Sequence, residues 1–295
     1  MQRAMSIAIG SIIVGIVVLA LKATAFFLTG SVALYSDALE SIVNIVTAAA
    51  TLAAVWVGSK PPDSNHPYGH HKAEYVWAVL EGALIIVAAL LIFRAAYFGF
   101  VEPKPLNANL EGLSFNAAAA VLNGIWATVL MRHGRRLRSP ALVADGHHLY
   151  TDVLSSVGVL AGLIVARATG WAVLDPLLAA LVGGTILWSG WTLVRGSVSG
   201  LMDEAVDAET LERIRKLIAE NADGAIEAHD LKTRHAGRAT FLDFHLVVPG
   251  SMSVSAAHDI CDRIEQALRK ERPGTVVSIH VEPDDKAKHS GIVVL

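Results

Sequence analysis

Two triplets of polar residues stand inside otherwise apolar stretches: Asp37, Glu40 and Asn44 in one, Asp145, His148 and Asp152 in the other. Both follow the spacing i, i+3, i+7, which on an α-helix gathers the three side chains on one face. Ionisable groups are costly in an apolar interior, so two such faces are expected to turn toward each other or toward a water-filled cavity. With the two helices antiparallel, Glu40 and Asn44 come level with His148 and Asp152. Two oxygens from one helix, with an imidazole nitrogen and a carboxylate oxygen from the other, make a four-ligand cage suited to tetrahedral Zn(II) or a similar ion. Asp37 and Asp145 fall toward helix ends, where they would touch water or orient the ligating groups. The plainer alternative is a set of interhelical hydrogen bonds. No Lys or Arg lies near in sequence, however, so these acids need a cation or protons to neutralise them.

A second polar concentration is the stretch from Pro61 to Lys72, with Asp63, His66, His70 and His71. Such a tract can wrap an ion, or its side chains can cap the helix that follows, and the residues alone weigh the two equally. The last third of the chain carries His229, His235, His245, His258 and His280. Taken singly, a surface histidine is more often solvated than ligating. Their number makes a metal site credible, and His280 and Glu282, two apart on a strand, would share a face.

These residues need elements to hold them. The chain has 295 residues, 53% hydrophobic and 17% charged, with mean hydropathy +0.49, too apolar for a water-soluble protein of this length. Six segments are long enough to cross a membrane: 5–28, 32–57, 74–98, 112–131, 141–166 and 172–194. They read as helices, because open strands would leave backbone groups unpaired in lipid. A signal peptide over the first segment is disfavoured, because its apolar run has the length of a full span and another follows almost at once. Basic residues mark the connections after the second and fourth spans, Lys60 and Lys72 in one, Arg132, Arg135, Arg136 and Arg138 in the other. By the positive-inside rule these connections and both termini face the cytoplasm. Gly158 with Gly162 and Gly183 with Gly184 would allow close helix approach, and Lys22 would reach for the interface. Glu81 and Arg94 need not line a pathway.

From about Asp203 the composition turns polar, which divides the chain into residues 1–202 and 203–295. In the second part helical periodicity over 207–221 and 254–270 and alternation over 227–233, 240–248 and 276–281 predict two helices on one face of a three-stranded sheet. The fold class is therefore a six-helix transmembrane domain with an α+β domain of order αββαβ. A net charge of −3 without basic tracts argues against nucleic acid. With Cys261 as the only cysteine, an intrachain disulfide and a thiolate-rich site are both excluded.

Asn65-His66-Pro67-Tyr68-Gly69-His70-His71-Lys72-Ala73-Glu74 and Ala144-Asp145-Gly146-His147-His148-Leu149-Tyr150-Thr151-Asp152-Val153, together with the six spans and the polar C-terminal part, resemble the cation diffusion facilitator family. The resemblance implies a homodimeric metal/proton antiporter in a lipid bilayer, with a metallochaperone-like αββαβ cytoplasmic domain. It implies a transport site of Glu40, Asn44, His148 and Asp152 and a loop site of Asp63, His66 and His70. A cytoplasmic site would comprise His229, His245, His258, His280 and Glu282. The sequence departs from the zinc-type pattern in span two, where Glu40 and Asn44 replace two aspartates, and at Val281, where a polar residue is usual. The first departure leaves the metal open: an amide oxygen tilts the site toward harder ions such as Mn(II) or Fe(II), while the retained His148 still suits Zn(II), the first expectation, with Co(II) and Cd(II) as further alternatives. Proton coupling follows from ligand chemistry, since an imidazole ligates only through an unprotonated nitrogen. Efflux through the inner membrane of a bacterial cell is the function expected. A metal-sensing membrane protein that binds without transporting is the alternative, and an enzyme is disfavoured because no His-Glu-x-x-His motif is present.

Overall fold

The computed structural model describes residues 2–29, 32–101, 110–169, 174–289 and 291–293. The chain forms two compact units, Met1–Val198 and Ser199–Leu295. Six helices build the first: α1 (Gln2–Thr29), α2 (Val32–Gly58), α3 (Ala73–Val101), α4 (Leu110–Leu137), α5 (Pro140–Thr169) and α6 (Leu174–Leu201). At a rise of about 1.5 Å per residue each reaches roughly 40 Å, more than the ~30 Å hydrocarbon core of a bilayer. Among the described residues, α1 and α3 hold runs long and apolar enough to cross a membrane, Arg3–Thr24 and Ala73–Val101.

The packing is inverted relative to a water-soluble bundle. α3 turns Val76, Leu80, Leu84, Val87 and Leu91 outward and keeps Glu74, Ala78, Glu81, Ile85 and Ala89 inside. That distribution is stable where the surrounding solvent is apolar and the polar groups must find partners within the protein. α1 lies against α2 and α4, and α5 against α4, α3 and α2, so the α2 and α5 triplets are carried by adjacent helices. α3 and α6 approach at Gly82 and Gly190, where a Cβ on either residue would come within 3.3 Å of the other's carbonyl oxygen. Gly158 is pressed against Val182 and Gly183 against Ile92, whereas Gly184 has open space. The surroundings of Gly162 lie outside the described residues.

Two expectations change. Arg132, Arg135 and Arg136 stand on the last turns of α4 rather than in a loop, and only Arg138 and Ser139 link α4 to α5. Arginine is a good helix former, and cations are favourable at a helix C-terminus. Lys22 is buried, at 4% exposure, on the same face of α1 as Val18 one turn earlier, instead of reaching the interface.

The second unit contains α7 (Ala208–Asn221), β1 (Glu227–Ala236), β2 (Ala239–Val248), α8 (Val254–Glu271), β3 (Thr275–Pro283), a 3-10 turn (Asp284–Lys286) and β4 (Ile292–Val293). Asp207 and Ser253 cap the two helices by accepting from the backbone N–H of Thr210 and Ala256. The sheet order is β3-β2-β1-β4, with β1 antiparallel to β2 and β3 parallel to β2. The expected αββαβ core is present. β4 is an addition, two residues paired to Glu227 and Ala228 of β1, too short to leave an alternating pattern in sequence. Leu242, Phe244, Leu246 and Val248 of β2 pack on Ile214 and Ile218 of α7 and Ile260, Ile264 and Leu268 of α8. Each such burial contributes about 1.5–3 kcal/mol. Because side chains alternate along a strand, this core sends His245 to the opposite face of the sheet.

Candidate metal centres

Inside the helical unit, Asn44 of α2 stands between His148 and Asp152 of α5. His148 Nε2 lies 3.0 Å from Asn44 Oδ1, and Asn44 Nδ2 donates to Asp152 Oδ2 at 2.5 Å. Asn44 and Asp152 are buried and His148 half-buried. The helical spacing of 148 and 152 stacks these two side chains on one face of α5, and the α2–α5 contact brings Asn44 to both. Asp37 and Glu40 belong to α2 by position, but their side chains lie outside the described residues.

Asp145 accepts from Ser11 Oγ of α1 at 2.6 Å, and that hydroxyl accepts from Trp126 Nε1 of α4 at 2.8 Å. Ser11, Ser41, Asn44, Asn123 and Asp145 line a cavity of about 10 Å³, close to the space of a single water. Ser11, Asn123 and Trp126 had no signal in the sequence, since none belongs to a spaced set of ionisable residues on its helix.

Asp63, His66 and His70 come together in the loop after α2. Asp63 Oδ1 accepts from the backbone N–H of His66 at 2.7 Å and of Asn65 at 2.9 Å. The His66 and His70 rings approach Asp63 at 3.2 and 3.4 Å, through Nδ1 and Nε2, and their centroids are 4.3 Å apart. The His66 backbone N–H, opposed by partial desolvation and aided by Asn65 and the His66 ring, holds the Asp63 carboxyl below its ordinary value. Gly69 turns the chain at φ 83°, which lets His70 fold back over Asp63. Ligand atoms of the three residues lie within 4.8 Å of one another, close enough to share an ion.

In the α+β unit, strand register does the positioning. His229 pairs with His245, and His245 with His280, so three imidazoles form a row across β1, β2 and β3. In the next row Glu227 and Glu282 flank Val247 on the same face. Glu282 lies 3.3 Å from His229 Nε2, 3.0 Å from His245 Nδ1 and 3.6 Å from His280 Nε2. Glu227 Oε1 is 3.3 Å from His229 Nδ1. These atoms are within ion-pair distance without hydrogen-bond geometry: both His229 nitrogens, His245 Nδ1 and Glu227 Oε1 are buried and unsatisfied. A nitrogen and oxygen donor set left in that condition fits a borderline divalent ion.

His258 is not part of this row. It stands exposed on α8, 3.7 Å from Asp262. Val281 points away from the row, by the parity of β3. Cys261 is packed in the core of the α+β unit, away from the histidine row.

Glu227 and Asp230 are additions to the sequence-based set. Asp230 joins His229 and His245 as a third group within ligand range, from a bulge in β1 where its φ is 52°. The C-terminal segment holds both acids. Lys288 Nζ donates to Asp230 Oδ2 at 2.6 Å, and the backbone N–H of His289 donates to Glu227 Oε2 at 2.9 Å. Desolvation pushes the Glu227 carboxyl up, but the His289 N–H, the charge on His229 and the Lys288 N–H outweigh it and leave the carboxyl below its ordinary value.

Residues 8–202 match the family described as the cation efflux transmembrane domain, and residues 206–284 the cytoplasmic domain of cation efflux proteins. An uncharacterized transporter of Synechocystis sp. is 43% identical over 281 residues, covering 95% of this chain and 91% of its own. The cation-efflux pump FieF of Cronobacter sakazakii is 31% identical over 279 residues, covering 94% of this chain and 91% of its own. A solved structure of the zinc form of the putative zinc transporter CzrB is 49% identical over 29% of this chain and 98% of its own, with a TM-score of 0.28. With six membrane-length helices and an αββαβ domain bearing clustered histidines, the chain belongs to the cation diffusion facilitator family of metal-cation efflux transporters.

Proposed function

We propose that this protein exports a divalent transition-metal ion from the cytoplasm in exchange for protons, with Zn(II) first and Fe(II), Mn(II), Co(II) or Cd(II) as alternatives. The observation that carries the reading is the meeting of Asn44 with His148 and Asp152 inside the helical unit. Glu40, Asn44, His148 and Asp152 would hold the ion as substrate, with Asp145 fixed by Ser11 and Asp37 nearby on α2 to support them. An imidazole nitrogen among oxygen donors suits Zn(II) while admitting the neighbouring ions. His148 ligates only through an unprotonated nitrogen, so metal and protons compete for the same group, which is the basis of exchange.

Asp63, His66 and His70 would receive the ion on the cytoplasmic side. The row of His229, His245, His280 and Glu282 would bind a regulatory ion in a homodimer, with His258 joining from the second copy. In this reading both termini face the cytoplasm and the membrane is the inner membrane of a bacterial cell, with residues 1–202 as the transport domain and 203–295 as the metal-responsive domain, as the basic residues after the second and fourth spans support.

The test is uptake of Zn(II), Fe(II), Mn(II), Co(II) and Cd(II) into vesicles carrying the purified protein, under a pH gradient, for wild type and Asp152→Ala. Movement of one ion by wild type and not by the variant supports the reading. Equal movement in both, or none in either, removes it.

A further inference from the structure

Glu81 is fully buried on α3, and neither carboxylate oxygen has a hydrogen-bond partner. The Trp77 indole lies one turn earlier, but its N–H is directed to Thr51 Oγ1 of α2 at 2.9 Å. Glu81 lies on α3 between Ala78 and Ile85, which pack in one cluster with Ala144 and Leu154 of α5, so the acids of that α5 stretch, Asp145 and Asp152, are its charged neighbours. From α6 the same stretch of α3 meets Gly190, Leu193 and Val194, none of them titratable. Among the described residues of α2, Thr51 holds the Trp77 N–H and Thr47, one turn away, donates to the backbone carbonyl of Asn44, and neither is titratable.

Among the described residues, three carboxylates therefore share one water-poor interior. Asp145 has a hydroxyl donor in Ser11 and Asp152 an amide donor in Asn44, while Glu81 has none. Like charges in such a place do not all ionise unless a cation joins them. A divalent substrate supplies that charge when bound between α2 and α5, and protons supply it when the substrate has gone.

We propose that Glu81 is a proton-binding site of the exchange cycle, coupled electrostatically to Asp152 and Asp145 across the α3–α5 contact. It rests on the reading of the chain as a metal/proton exchanger. Arrival of the doubly charged ion favours loss of the proton from the Glu81 carboxyl, and departure of the ion favours its return. The proton passes to and from water, and no covalent bond other than O–H changes.

The experiment reconstitutes the full chain in vesicles and follows Zn(II) entry and internal pH together, for wild type, Glu81→Gln and Glu81→Asp. The proton-to-metal ratio is expected to fall by about one in Glu81→Gln and to be retained in Glu81→Asp, with a flatter dependence of rate on pH in the former. If Glu81→Gln fails to transport, proton release on adding Zn(II) to each purified protein in weak buffer gives the same count, again lower by about one. An unchanged ratio and pH profile in Glu81→Gln, or unchanged proton release, overturns the assignment. Metal movement by wild type with no proton movement overturns the exchanger reading itself.

Discussion

Asn44 faces His148 with its carbonyl oxygen, at 3.0 Å, and Asp152 with its amide nitrogen, at 2.5 Å, so one side chain of α2 ties two side chains of α5. An ionised aspartate at position 44 could accept from the imidazole but could not donate to the carboxylate. On the proposed reading an incoming ion would have to displace this internal hydrogen bond, and the amide carries one negative charge fewer than an aspartate would.

Asn44→Asp is therefore expected to bind Zn(II) more tightly and release it more slowly. Two carboxylates at hydrogen-bond distance repel unless a cation or proton lies between them. The half-saturating metal concentration in vesicle uptake should fall by about tenfold, equivalent to ~1.4 kcal/mol, with a lower maximal rate. A higher half-saturating concentration would show that the amide is needed as a ligand in its own right.

In the loop, His70→Ala removes the ring that closes over Asp63. The expected result is slower uptake at low metal concentration and a normal rate at saturation, because a capture site raises local concentration without entering the translocation step. The His70 side chain is largely covered, at 14% exposure, so the substitution is expected to cost about 1 kcal/mol of stability. A lowered saturating rate would place His70 in translocation.

A metal bound by the three-strand row should stabilise the fold that creates it. Thermal unfolding of the cytoplasmic domain within the full chain should shift upward on adding Zn(II), by the equivalent of about 2.7 kcal/mol at 100 times the dissociation constant. A chelator should reverse the shift, and His245→Ala should abolish it. A shift that survives His245→Ala would move the site elsewhere.

Asp207 predicts a pH effect with a definite sign. The backbone N–H of Thr210 and then its hydroxyl hold the Asp207 carboxyl below its ordinary value of 3.8, with Arg272 adding to the effect. A folded value below the unfolded one gives stability that is present above the ordinary carboxylate range and lost as pH falls through the depressed value. Asp207→Ala should therefore unfold at lower temperature than wild type at neutral pH, and the gap should close in acid below 3.8. A gap that persists in acid would assign the loss to something other than the charged cap.

Local periodicity made much of this legible in the sequence. The spacing of His148 and Asp152 put them on one helical face, and the parity of His280 and Glu282 put them on one strand face, as their contacts now show. Information carried by distant pairing was not legible. Glu227 looks like a surface residue until β1 is aligned with β2, and Asp230 is displaced by a bulge that breaks the alternation. Ser11 and Asn123 needed the α1–α4–α5 packing to bring them to Asp145. Glu81 was visible as an acid in a span, but its isolation from any hydrogen-bond donor was not.

The histidine row also bears on how the chain folds. β3 joins β2 in parallel through α8, a non-local pairing that must wait for the crossover helix. A slip of one residue between β3 and β2 would carry His280 and Glu282 to the helix side and Ile279 to the open face. An ion that needs all three imidazoles would thus recognise the native register and ignore its nearest misfold. In a cell containing the metal, the row would serve as a checkpoint that traps correctly threaded chains.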